Sequence, residues 1–198
     1  MSKLEQFSTS IAKGLVKHGS TESVRTISHG LEIMILQGLN LGFILLLAYI
    51  SNSFISVLIT TLIYFLLRSF SGGLHLSQAW TCLIIGNLLL LGMGYGASVI
   101  ELPHWSYEML FLVVAYSYAM VLNLRYAPQS RVFTFPLEQR QKNRRILTVL
   151  LTVGLLFSLV MIANGFERLA FSYAFAIILQ STYLHPASFW FFRQVKLA

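Results

Sequence analysis

A single thiol and one nearby imidazole are the most reactive pair in this chain. Cys82 is the only cysteine among 198 residues, and His75 precedes it in the segment Arg68-Ser-Phe-Ser-Gly-Gly73-Leu-His75-Leu-Ser-Gln78-Ala-Trp-Thr-Cys82. An imidazole that takes the thiol proton leaves a thiolate able to attack a carbonyl, which is the minimal equipment for covalent acyl transfer. Cys82 is then the nucleophile, and His75 is first the base and later the acid. On an unbroken helix this spacing puts both residues on one face but about 10 Å apart along the axis. The chemistry therefore requires a bend or a non-helical turn between them, and Gly72-Gly73 supplies part of the freedom needed. An inert assignment competes: a lone cysteine in an apolar helix is a small hydrophobe, and a lone histidine near a membrane surface faces water. Two ligands fall short of the four that structural zinc takes, and His104 and His185 stand elsewhere, so no metal or cofactor is expected.

The elements that must hold this pair are membrane helices. The chain is 56% apolar and 11% charged, with a mean hydropathy of +0.71. No soluble domain of this size hides that much apolar surface. The apolar residues also come in blocks long enough to cross a bilayer instead of in the stripes of a water-facing element. The expectation is an all-α, single-domain membrane protein with six spans, at about Ile33 to Ile50, Phe54 to Leu67, Cys82 to Ile100, Glu108 to Leu124, Ile146 to Ala163 and Leu169 to Phe192. Before them, residues 1–30 carry Leu4, Phe7, Ile11 and Leu15 at helical spacing among Lys3, Gln6, Lys13 and Lys17, the pattern of an interfacial helix. A second short helical segment is expected from Thr21. Charges interrupt these first residues before any apolar run, so no cleavable signal is read. Arg125 to Arg145, with Pro128 and Pro136, reads as loop with at most a short surface helix, and His185-Pro186 is expected to kink the last span.

The basic residues orient this arrangement. Lys3, Lys13, Lys17 and Arg25 precede the first span; Arg68 follows the second; six more lie from Arg125 to Arg145; Arg193 and Lys196 end the chain. Six spans place all of these on one side and only Arg168 on the other. By the positive-inside rule that side, with both termini, is the cytoplasm. A net charge of +7 distributed in this way points to membrane orientation and not to nucleic acid.

The arrangement R-x4-G-x-H-x6-C, formed by Arg68, Gly73, His75 and Cys82 after two hydrophobic spans, resembles the accessory gene regulator B family of quorum-sensing peptidases in Gram-positive bacteria. The likeness continues in Tyr126-Ala127-Pro128 after the fourth span, in the basic loop behind it, and in the overall length. The resemblance implies that His75 and Cys82 are the catalytic pair and that Arg68 and Gly73 support the site. It also implies a substrate: a small membrane-associated propeptide, which loses its C-terminal tail to a Cys82 thioester and then closes on an internal thiol or hydroxyl as a thiolactone or lactone. A homodimer in the cell membrane is implied as well. One feature departs from the family, in which lysines can follow the Ala-Pro; here only Arg131 stands in that stretch.

Supporting roles fall to fewer residues. Glu32, near the cytoplasmic start of the first span, either orients His75 or favours a helix N-terminus, where negative charge gains up to about 1 kcal/mol. Gln78 is the nearest amide that can donate to an oxyanion. Arg140, Lys142, Arg144 and Arg145 attract either an acidic propeptide tail or, by preference, anionic lipid. Two other functions fit a polytopic chain, a peptide or small-solute transporter and a purely structural subunit. The spans lack the internal acids and paired inverted halves that ion-coupled transport usually needs.

Overall fold

The computed structural model describes residues 3–18, 23–73, 79–128 and 136–194; the side chains of residues 3, 4, 33, 79–83 and 192–194 lie outside this description. Eight helices are found among the described residues: α1 (Lys3–Lys17), α2 (Val24–Ile50), α3 (Phe54–Ser71), α4 (Ala79–Val99), α5 (Trp105–Tyr126), α6 (Leu137–Ala163), α7 (Glu167–Thr182) and α8 (Pro186–Gln194). Four of them, α2, α3, α5 and α6, are long and apolar enough to cross a membrane. The apolar stretch Ile84–Val99 of α4 is shorter, and the 16 residues of α7 rise only about 24 Å.

The chain forms two compact units, Met1–Leu46 and Leu47–Ala198. In the first, α1 turns its small polar face to α2. Ser8 Oγ lies 2.9 Å from Ser28 Oγ and donates to Glu32 Oε1 at 2.8 Å, and Thr9 Oγ1 is 3.1 Å from Ser28 Oγ. Ser8 and Ala12 are fully buried, while Phe7, Ile11 and Leu15 stay exposed on the other face. Ser23 accepts from Thr26 N at 3.1 Å, which caps the start of α2. The separate short helix expected from Thr21 is therefore replaced by the first turns of α2, which continues unbroken to Ile50; Gly30 alone costs a helix only about 1 kcal/mol.

In the second unit, side-chain contacts fix the direction of each helix. Thr60 Oγ1 donates to Ser172 O at 3.2 Å and Gln180 Nε2 to Ser71 Oγ, so α3 and α7 run parallel. Phe111 packs on Phe171 with centroids 5.6 Å apart, and Asn123 Nδ2 donates to Ser181 Oγ at 2.9 Å, so α5 runs with them. Helix α6 is antiparallel to α5: Arg144 near its start bonds Ala127 O at 2.6 Å, and Ser158 near its end lies 2.9 Å from Tyr116 Oη. Late in α4, Gly94 lies against Val57 at the start of α3, which makes that pair antiparallel as well. Helix α7 packs on α3, α4, α5 and α6. Its buried Ala170, Ala174 and Ala176 permit the close approach that drives helix association in lipid.

Two further sequence expectations are corrected. Residues 137–145 are the first turns of α6 and not loop; charged residues at a helix start leave no apolar signal to read. The segment read as one kinked span, 169–192, is two helices separated at Tyr183–His185. Pro186 has no amide hydrogen and fits the first position of a new helix. Ser188 Oγ donates to Thr182 O at 2.6 Å and His185 Nδ1 accepts from Ala187 N at 3.1 Å, which completes the junction.

The α3–α4 contact gives a test of the packing. A Cβ at Gly94 would stand 2.6 Å from the Cα of Val57, while one at Gly92 would meet nothing within 4 Å. Because backbone cannot yield, Gly94→Ala must part the two helices, at a cost of about 1–3 kcal/mol. Its thermal midpoint in detergent is expected to fall by several degrees while that of Gly92→Ala holds; equal midpoints would contradict this contact.

Candidate functional site

The alternating helix directions gather the C-terminal ends of α3, α5 and α7 and the N-terminal ends of α4 and α6 at one end of the second unit. At the other end the exposed side chains of Arg168 and Glu101 form a 3.8 Å ion pair. His104 also belongs to that end, where its ring accepts from Ser106 N at the start of α5.

The carbonyls at the end of α3 show how the first end is built. A helix leaves its last carbonyls without partners, and here side chains from α3, α6 and α7 supply them. Ser71 Oγ donates to Leu67 O at 2.8 Å, Asn143 Nδ2 to Phe70 O at 3.1 Å, and Gln180 Nε2 to Gly72 O at 2.8 Å; the Gly72 amide returns to Arg68 O at 2.9 Å. The chain then leaves α3 through two residues in left-handed regions, Gly72 at φ 67° and Gly73 at φ 126°. A Cβ on Gly73 would have ordinary room, its nearest neighbour being Gln180 Nε2 at 3.5 Å. What requires glycine there is the backbone angle and not the space.

Arg68 sits one turn back on α3. Its guanidinium lies 5.6 Å from the Tyr64 ring centre and 5.7 Å from that of Tyr183, and it donates to Tyr64 Oη at 2.6 Å. Two aromatic faces thus hold the cation in place. Tyr183 terminates α7, and two residues on His185 packs edge-on against Tyr126 at 6.1 Å. The segment 183–185 therefore joins the Arg68 cluster to Tyr126-Ala127-Pro128. Arg144 fastens α6 to the same segment through Ala127 O.

Cys82 is the fourth residue of α4; its side chain is outside the description, and His75, Gln78 and Arg131 lie outside the described residues altogether. Arg140, Lys142 and Arg145 are exposed on the first turns of α6, and Arg144 is half-buried. Glu32, in the first unit, takes its hydrogen bonds from Ser8 and Ser28. It stands in the third turn of α2, so it does not mark the helix N-terminus expected for it. His185, which stands apart from Cys82 and His75 in sequence, has Tyr126 beside it. Gln180, Tyr183 and Tyr64 were not singled out by the sequence, although a glutamine in an apolar span is a signal that polar structure is near.

The family model for accessory gene regulator B matches residues 8–184 of the chain. The chain belongs to this family. No curated protein and no solved structure matches it. The match takes in α3 with Arg68, the Gly72-Gly73 exit, Cys82 and the Tyr126-Ala127-Pro128 segment. Family membership supports a role in quorum-sensing propeptide processing and, with the apolar helices, makes this a multi-pass membrane protein.

Proposed function

We propose that the chain is a membrane-embedded cysteine endopeptidase and cyclase, with Cys82 as nucleophile and His75 as general base and acid. The observation that carries this is the position of the sole cysteine in the first turn of α4, at the same end of the helix bundle as the Arg68–Gly73 and Tyr126-Ala127-Pro128 segments of the family match. A helix N-terminus carries partial positive charge and favours an anion there, as the thiolate would be.

His75 removes the Cys82 proton, and the thiolate adds to the scissile carbonyl of a small propeptide. The peptide C–N bond breaks, the imidazolium gives its proton to the departing amine, and the C-terminal tail leaves. The remaining peptide is held as a thioester. An internal thiol or hydroxyl of the propeptide then attacks that thioester, His75 taking its proton, and Cys82 leaves as thiolate and is reprotonated. The product is a thiolactone or a lactone, and a site partly shielded from water protects the thioester from hydrolysis. Gln78 donates to the oxyanion and Arg131 contacts substrate.

The proposed topology has six crossings, α2 to α7, with both termini cytoplasmic in the cell membrane of a Gram-positive bacterium. The alternating directions of α3 to α7 agree with it, as does the position of Arg168 at the end of the second unit opposite Arg68, Arg125, Arg140 and Arg144. Helix α1 rests on the bilayer surface through Phe7, Ile11 and Leu15, and exposed Arg140, Lys142 and Arg145 engage anionic lipid. Two copies form the working unit.

Because Cys82 is the only cysteine, thiol alkylation tests the assignment in the unmutated protein. Treatment with one equivalent of iodoacetamide is expected to stop tail release from a reconstituted propeptide. Continued cleavage by fully alkylated protein would overturn the proposal, and gradient-driven efflux indifferent to alkylation would favour a transporter instead.

A further inference from the structure

Gln180 lies on α7, outside both segments that carry the proposed chemistry, yet it is the residue that holds the exit from α3. Its side chain is 1% exposed. Nε2 donates to Ser71 Oγ at 2.5 Å and to Gly72 O at 2.8 Å, while Oε1 has no partner among the described residues. A buried amide is kept with half its capacity unused, and an apolar side chain of the same volume would avoid that cost. The half that is used grips the backbone at the point where it has least intrinsic order, since Gly72 and Gly73 both have positive φ and glycine restricts neither angle.

We infer that Gln180 is a positioning residue for the Cys82–His75 pair: its amide fixes the direction in which the chain leaves α3, and His75 follows two residues after Gly73. The inference rests on the proposed peptidase function. Cys82 belongs to α4, which is located by its own packing on α3 through Gly94 and Val57. His75 follows the glycine turn in sequence, and the side chain of Gln180 grips that turn from α7. On this inference, loss of the amide leaves α3 and α7 in place and frees the direction in which the chain runs on towards His75.

The test uses the full chain in detergent, with iodoacetamide as the thiol probe and a propeptide as substrate. In the wild type, Cys82 alkylation should reach half its maximal rate well below the pH at which an ordinary thiol ionises, roughly 8.5. Gln180→Leu is expected to move that midpoint up towards the ordinary value and to lower kcat for tail release at least tenfold with KM unchanged. Gln180→Met, flexible and of similar volume, carries the same test should the leucine variant insert poorly. A lower thermal midpoint with an unchanged alkylation profile and unchanged kcat would make Gln180 a packing residue only and overturn the inference. An ordinary thiol profile in the wild type, with cleavage persisting after alkylation, would instead remove the peptidase function on which it stands.

Discussion

Cys82→Ala is expected to abolish propeptide cleavage while the protein still inserts and folds. Removing the covalent nucleophile of a hydrolase that works through an acyl-enzyme costs on the order of 10⁶-fold in kcat, which places the variant below detection. The fold should tolerate the change, because alanine is the best helix former and fits where cysteine fitted. The comparison to make is released C-terminal tail per molecule of detergent-extracted protein. Tail release at even a few per cent of the wild-type rate would mean that another group attacks the peptide. Cys82→Ser sharpens the test, since its hydroxyl keeps the size but ionises far less readily than a thiol.

Gly73→Ala should produce the second-largest loss. At φ 126° the residue is outside the regions open to L side chains, although the nearest atom, Gln180 Nε2, would be 3.5 Å from the new Cβ. Holding alanine in that conformation costs about 1–3 kcal/mol. The turn will therefore relax instead, redirecting the chain towards His75. The expected result is a fall in kcat of about 10- to 100-fold, with the thermal midpoint lowered by at most a few degrees as the turn relaxes against Gln180. Gly86→Ala, where a Cβ would meet nothing within 4 Å, serves as the matched control and should cleave normally. Equal activity of the two variants would show that the glycine exit does not set the position of His75.

Hydropathy made the helix cores legible, since a run such as Phe54 to Leu67 has only one stable form in lipid. It was blind to the polar turns at the helix ends. Residues 137–145 carry charge into the start of α6, and Val24 to Leu31 looked like a helix of their own because Glu32 interrupts the apolar run. Hydropathy was equally blind to the partner each helix faces. The stretch 169–192 reads as a lipid-facing span of ordinary kind, but α7 is surrounded by four other helices, with Phe171 and Ile177 buried. Lipid and protein interior reward the same apolar residues, so their composition cannot separate them.

The candidate site was legible in proportion to how local it is. Arg68, Gly73, His75 and Cys82 form a short motif, whose chemistry asks for a bend between His75 and Cys82, a stretch that falls partly outside the described residues, with Gly72-Gly73 upstream supplying part of the freedom. Both glycines do adopt positive φ, 67° at Gly72 and 126° at Gly73. What holds the exit came from more than a hundred residues away, from Gln180 and Tyr183, and no spacing rule links them to Gly72. His185 likewise looked solitary in sequence because its neighbour, Tyr126, arrives from α5.

The most direct test of the central claim is mass spectrometry of the reconstituted protein after incubation with a propeptide whose internal thiol or hydroxyl nucleophile has been replaced by alanine. With ring closure blocked, the acyl-enzyme should accumulate as an adduct equal to the propeptide minus its tail, attached at Cys82 and released by hydroxylamine as a thioester is. Release of the tail with no adduct at any time, or an adduct on a residue other than Cys82, would contradict the account.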